Sequence, residues 1–362
     1  MPPRPDTARR GSPPRTRQRT RLRAPLVVLV LCALLPVSTG LSTAFGAEPL
    51  PIGPVADALL SRITGGVPAD LVHDTIVWNL RLPRALLAVV VGAGLALAGA
   101  AMQTLVRNPL ADPYLLGVSS GAGVGATLVI TTGLFAGAGI WALSAGALTG
   151  ALCSALLVFG VAVAQGGLTP LRLVLIGTVL GSAFSSVASF LVFRSADPAA
   201  AQSVLFWLLG SLAGAEWSQL ALPAGVVAVA GVALFASSGW LDALSTGPDT
   251  AAALGVPVRE LRIALFVLLA VLVGVLVAVS GGIGFVGLVV PHLARLVVGA
   301  RHRALLPVAA LGGALFLLWV DVATRVLVRP TEIPLSVVSG LIGAPVFLVL
   351  LGRRRYSYGG AS

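Results

Sequence analysis

Residues 85–106 read ALLAVVVGAGLALAGAAMQTLV, a run without one ionisable side chain, framed by Arg84 and Arg107. A helix of that length rises ~33 Å, enough to cross the ~30 Å hydrocarbon core of a bilayer. Working outward, uncharged runs of comparable or greater length recur at residues 24–47, 113–171, 173–193, 217–241, 263–291, 304–320 and 333–352. The run 113–171 is long enough for two crossings, with Gly133, Gly137 and Gly139 marking the turn between them. Nine spans are clear on this reading. Two stretches stay open: residues 198–215, rich in small and polar side chains, and residues 285–296, which Gly281 and Gly282 set apart from the helix before them.

Composition agrees with the runs. The chain is 57% hydrophobic and 10% charged with mean hydropathy +0.99, more apolar surface than a water-soluble globule of 362 residues could hide. An all-α integral membrane fold follows, because only helices and closed barrels satisfy their backbone in lipid. Residues 24–47 could pass for a signal peptide with Ala44 and Gly46 as a cleavage pair, but the apolar core is longer than usual and further spans follow, so a retained first helix is expected. Residues 1–23 hold eight Arg among Pro, Ser and Thr and are expected to be a disordered cytoplasmic segment, residues 24–352 the transmembrane domain, and residues 353–362 a cytoplasmic tail.

Charge parity decides the number of crossings. If residues 285–296 cross as a short helix and residues 198–215 only dip in from outside, there are ten crossings and both termini share one side. That side then holds 18 Arg and five acidic residues, against six Arg and eight acidic residues on the other. The bias is what the positive-inside rule requires of a multi-pass protein of the cell membrane with both termini cytoplasmic. The net charge of +11 is accordingly read as a topology anchor, with membrane lipid and not nucleic acid as the neighbour.

Several chemistries are disfavoured. All 24 basic residues are Arg, so the lysine a P-loop requires is missing and the chain cannot be its own ATPase of that type. Asp321, His292, Arg295 and Arg325 lie near the ends of apolar runs, which disfavours an ion-coupled secondary transporter, the alternative from another class, and leaves no cluster for an intramembrane enzyme. His292 has no second ligand in metal spacing and reads as structural. Cys32 and Cys153 sit in uncharged stretches and read as small buried hydrophobes, not a disulfide. No catalytic, cofactor or metal residue is expected. Energy then has to come from another protein, and the longest inner loop, residues 242–262, contains GPDTAAALGVP at 247–257, a short helix stopped by Gly255 and Pro257. It suits a knob for a partner's groove, or else a merely structural loop helix.

Four separated motifs resemble the FecCD family of permeases: RLPR at 81–84, NPLADPYLLGVSSGAG at 108–123, GIGFVGLVVPH at 282–292 and GAPVF at 343–347. The resemblance implies the permease fold of a type II ABC importer, with about ten transmembrane helices, a second permease subunit, ABC ATPase subunits that hold ATP and magnesium, and an extracytoplasmic substrate-binding protein. It implies translocation of a ferric siderophore or related chelate, with cobalamin or haem as alternatives. It carries ATPase coupling to Gly247, Asp249, Ala251, Leu254 and Gly255, although Pro248 and Ala252 replace the acidic and basic residues common there. It carries binding-protein docking to Arg81, Arg84 and Arg325, and a cytoplasmic gate to Asn108 and Leu110 with Thr169 and Pro170 as a second element.

Overall fold

The computed structural model describes residues 16–353, with side chains from 24 to 349, and among these every regular element is helical. Helix α1, Thr16–Ser42, begins before the expected boundary: residues 16–23, expected to be disordered, continue the helix, while residues 1–15 and 354–362 lie outside the described residues. After the short helices α2, Ile52–Thr64, and α3, Leu71–Thr75, a π-helical turn at Ile76–Arg81 leads into α4, Leu82–Leu105. Then come α5, Val118–Thr132; α6, Ala142–Ala164; α7, Pro170–Arg194; α8, Pro198–Leu208; α9, Ala221–Ala236; α10, Ser238–Thr246; and α11, Pro248–Ala253. Last are α12, Val258–Ser280; α13, Val286–Val298; α14, His302–Val326; and α15, Leu335–Arg353, which takes in the Arg353 expected to open the tail.

Seven helical stretches are long and apolar enough to cross a membrane, and α5, α8, α13 and α15 are shorter apolar helices. The bundle has two ends. At one, Arg84 meets Asp321 and Trp217 Nε1 donates to the Trp78 carbonyl at 2.9 Å; at the other, His302 meets Thr104 and Asp242. Among the described residues the long stretches contain α1, α4, α6, α7, α9, α12 and α14, and the shorter α5, α13 and α15 pack against them. Helix α8 is followed by Gly210, which has the left-handed φ of 78°, and the chain there meets the end of α12, where Ser211 N donates to the Ser280 carbonyl. Residues 285–296 fall in the short apolar helix α13, entered through Phe285 at φ 69°.

Without a hydrophobic force between helices in lipid, close backbone approach holds such a bundle together. A Cβ at Gly125 would collide with the Gly146 carbonyl oxygen, which seats α5 on α6, and one at Gly99 would collide with the Gly287 carbonyl oxygen, which seats α4 on α13. Around these approaches Leu95, Met102, Leu269 and Leu272 are wholly buried. Cys32 and Cys153 correct the sequence reading: both are unpaired, but exposed on the apolar lateral surface of α1 and α6. Apolar side chains occupy both the core and the outer surface of the bundle, so an uncharged neighbourhood does not say which way a thiol points.

Candidate functional site

Helix breaks cluster around α12–α13, and their freed backbone groups satisfy one another. Ser211 N donates to the Ser280 carbonyl at 2.9 Å, Leu335 N to the Gly210 carbonyl at 3.0 Å, and Ser336 N to the Leu209 carbonyl at 3.0 Å. Ser336 Oγ donates to the Gly282 carbonyl at 2.7 Å and accepts from Gly284 N at 3.2 Å. The Tyr114 hydroxyl donates to the Ile283 carbonyl at 3.1 Å and accepts from Ile283 N at 2.9 Å. Tyr114 belongs to a 3-10 turn, Pro113–Leu116, whose Pro113 lies where a Gly287 Cβ would meet it at 2.5 Å, at the level of Leu95 midway along α4. Unwound backbone at membrane depth is tolerated only where protein covers it or where it lines a cavity, and here both hold.

The cavity lies along α7. One part, about 430 Å³, is lined by Ser119 and Ser120 of α5, Ser185 and Ser189 of α7, and Val204 and Leu208 of α8. A second part, about 510 Å³, shares Ser120 and Ser185 with the first and adds Gly177, Gly181, Ser182, Asp112 and Tyr114. The Ser189 hydroxyl donates to the Ser185 carbonyl at 2.9 Å. Its hydrogen is therefore spent on its own helix, whereas the Ser119, Ser120, Ser182 and Ser185 hydroxyls donate to no group among the described residues, so the wall offers weakly polar donors and acceptors beside small apolar groups. None of these α7 residues was singled out from the sequence. Their signal was present as small residues at 177, 181, 185 and 189, every fourth position, but in a membrane helix that pattern reads first as packing.

The three candidate docking arginines are indeed brought to one end, yet their guanidinium groups face inward. Arg84, 8% exposed, donates through Nε to Asp321 Oδ1 at 2.9 Å and through Nη1 to Glu332 Oε1 at 2.8 Å. Arg325, 5% exposed, donates to the Phe45 carbonyl at 2.7 Å, and its Nη2 lies 3.0 Å from Asp321 Oδ2 without hydrogen-bond alignment. Arg81 donates to the Thr43, Ala44 and Glu48 carbonyls at 2.9, 3.1 and 2.6 Å, clamping the α1–α2 loop. Two cations and two anions balance around the fully buried Asp321, which sequence reading had noticed only as a run-end residue.

At the opposite end α10 and α11 form a projecting knob. Asp249, Ala252, Ala253 and Gly255 are exposed and Leu254 is 68% exposed, whereas Ala251 is fully buried and Gly247 is also buried. Ala251 is thus corrected from a contact residue to the anchor that seats the knob; a six-residue helix has to turn one face inward. Behind the knob, Asp242 Oδ1 accepts from His302 N at 2.9 Å and from His302 Nδ1 at 2.6 Å, and His302 Nε2 lies 2.7 Å from Thr104 Oγ1. The Thr104 hydroxyl also lies 3.1 Å from the Ala100 carbonyl, so its one hydrogen serves either that carbonyl or His302 Nε2. Arg295 Nη1 donates to Gln103 Oε1, tying α13 to α4. Buried His292 meets the Phe347 ring edge-on, centroids 6.3 Å apart.

The gate candidates lie at this same end. Asn108 Oδ1 accepts from Leu110 N at 2.9 Å, a turn that leaves Leu110 39% exposed. Thr169 Oγ1 caps α7 by accepting from Arg172 N at 3.4 Å, with Pro170 in the first turn. No hydrogen bond joins the two turns among the described residues.

A polytopic bundle with re-entrant breaks, a small-residue path and an extramembrane knob is the membrane subunit of an ABC importer. The chain belongs to the FecCD transport family, which it matches over residues 34–353. It is 43% identical to the hemin transport system permease of Yersinia pestis, covering 77% of this chain and 84% of that one, and 37% identical to the molybdate import system permease of Haemophilus influenzae, covering 90% and 95%. Among solved structures it is similar, at TM-score 0.80 and 35% identity over 91% of this chain and 100% of the other, to a transporter described as metal-chelate type in an inward-facing conformation.

Proposed function

We propose that this chain pairs with a second permease subunit and carries a bulky iron chelate, a ferric siderophore by class, into the cytoplasm, driven by partner ATPases seated on the α10–α11 knob. The carrying observation is the serine- and glycine-lined cavity along α7. Its only charged lining residue is Asp112, so a bare oxyanion would find no cation there, whereas a chelate that encloses its metal needs only a wide, weakly polar wall. The knob end is then cytoplasmic, as are both termini, and the Arg81 end receives the loaded binding protein. Docking through Arg81 or Arg84 requires the loop 43–48 or Glu332 to release donors it now holds. A haem cargo is the second reading, favoured by the relation to the hemin permease, with cobalamin a further member of the same cargo class.

The test is uptake into proteoliposomes holding this permease with its partner ATPase and binding protein. ATP-dependent accumulation of an iron-labelled siderophore, uninhibited by excess hemin or cobalamin, is the expected result. Uptake of hemin alone would replace the cargo and keep the mechanism. Uptake driven by a proton gradient without ATP would overturn the class of energy coupling.

A further inference from the structure

A second feature, independent of the cargo, lies on the lateral surface between α1, α13 and α14. A cavity of about 690 Å³ opens at the α13–α14 turn, where Arg301 and Arg303 stand beside Pro25 and Val28 of α1, Phe235 of α9 and Pro307. A second cavity of about 600 Å³ has an almost wholly apolar lining that includes Val27, Val297, Val308, Phe316 and Trp319. Helix α1, the end of α13 and α14 line both cavities, through Val28, Val298 and Pro307 in the first and Val27, Val297 and Val308 in the second, which sets a basic mouth next to an apolar floor along the same three helices. Along α14 the floor from Val308 to Trp319 extends ~16 Å, about half the ~30 Å hydrocarbon core and so the depth of one leaflet.

The arginines at the mouth are exposed, and neither has an ion-pair partner among the described residues, unlike Arg62, Arg84 and Arg325. In sequence, α1 adds Arg17, Arg19, Arg21 and Arg23 just before the Ala24 that lines the mouth. Uncompensated cations at the headgroup level above a leaflet-deep apolar floor complement one kind of molecule. We propose that this groove is a binding site for an anionic glycerophospholipid of the knob-side leaflet, its phosphate held by Arg301 and Arg303 and one acyl chain laid along α14 past Gly312. Basic pockets between transmembrane helices on the cytoplasmic side suit such headgroups. The occupied site would brace the turn that carries His302, next to the contact with Asp242.

The full chain is reconstituted in nanodiscs of phosphatidylcholine doped with phosphatidylglycerol, extracted into neutral detergent, and its retained lipid counted by native mass spectrometry. The parent should retain phosphatidylglycerol in preference to phosphatidylcholine. R301Q/R303Q should lower that preference by about 30-fold, the change that ~1 kcal/mol per basic residue converts to. R194Q/R329Q, two exposed arginines at the opposite end, should leave it unchanged. Gly312→Leu narrows the floor without touching charge; a Cβ there meets only Val290 at 3.5 Å, so the variant should fold and still lose retained lipid. Equal retention of both lipids by the parent, or no loss in either variant, would overturn the proposal. So would a cross-link from position 308 to a second copy or another protein, because the groove would then be an interface.

Discussion

Asp321→Asn is the most demanding test of how the Arg81 end is built. The carboxylate is wholly buried and holds Arg84 at 2.9 Å and Arg325 at 3.0 Å, so a nearly isosteric amide leaves the packing but turns a balanced set of two cations and two anions into one with an excess cation. A unit-charge pair ~4 Å apart at an effective dielectric of ~20 interacts by about 4 kcal/mol, and removing one partner of a buried pair costs about 3–5 kcal/mol. The variant should therefore lose at least a hundredfold in the folded-to-unfolded ratio, since ~1.4 kcal/mol is tenfold. The measurement is chemical denaturation in detergent, followed by tryptophan fluorescence. Adding Arg325→Met removes the excess cation and should recover most of the loss, giving a coupling well outside the additivity expected of independent sites. A single variant within about 0.5 kcal/mol of the parent would refute the reasoning, because surface substitutions fall in that range and the arginines would then be free for docking as the sequence suggested.

The other predictions concern the knob, the packing and the linkage behind the knob. Leu254→Asp should leave folding unchanged, since the side chain is 68% exposed, and abolish co-purification of the partner ATPase; retained ATPase would show that the knob is not its seat. Gly125→Val drives a side chain into the Gly146 carbonyl and should destabilise the α5–α6 pair by about 1–3 kcal/mol or more, read as a lowered melting temperature, while Gly160→Ala, in open space on α6, should not. His302→Ala leaves Asp242 and Thr104 without their shared partner and should reduce transport per ATP hydrolysed while the ATPase still binds; unchanged coupling would reduce the linkage to local packing. Spin labels on α4 and α14 should keep one separation through the ATP cycle, whereas labels on α7 and α12 should not.

What could be read from the chain and what could not divide along a physical line. The uncharged runs are legible as membrane-capable helices because in lipid the penalty for a charge is local. Gly247, Gly255 and Pro257 delimit the knob because they act on their own backbone. The inward turn of Arg84 is a different matter: its Asp321 partner is 237 positions away, and only folding brings them together. The same holds for the breaks at residues 209–211, 280–285 and 335–336, whose freed groups pair with each other across the chain. Ala251 shows the limit at short range, since an alanine looks alike on either face of a short helix until its neighbours are known.

These contacts also say where the bundle is stiff. Helices α4 and α14 are joined at one end by Arg84 and Asp321, at the other by Thr104 and His302, and between them by Gly92 and Gly313, each so close that a Cβ would strike the other's carbonyl oxygen. Fastening of three kinds along the whole length leaves the pair little freedom to slide or splay. The walls of the small-residue cavity are fastened differently: α8 ends before left-handed Gly210, and Ser189 spends its hydroxyl on its own helix. On the proposed coupling, a force entering at α10 reaches the stiff pair first through Asp242 and its contact with His302. On that coupling the path changes only if α4 and α14 move as one body against α5, α7 and α8; the break at α12–α13 is held by Tyr114 and Ser336, yet its Gly281, Gly282 and Gly284 leave the backbone a wide choice of conformation, so a displacement there has to exchange those hydrogen bonds.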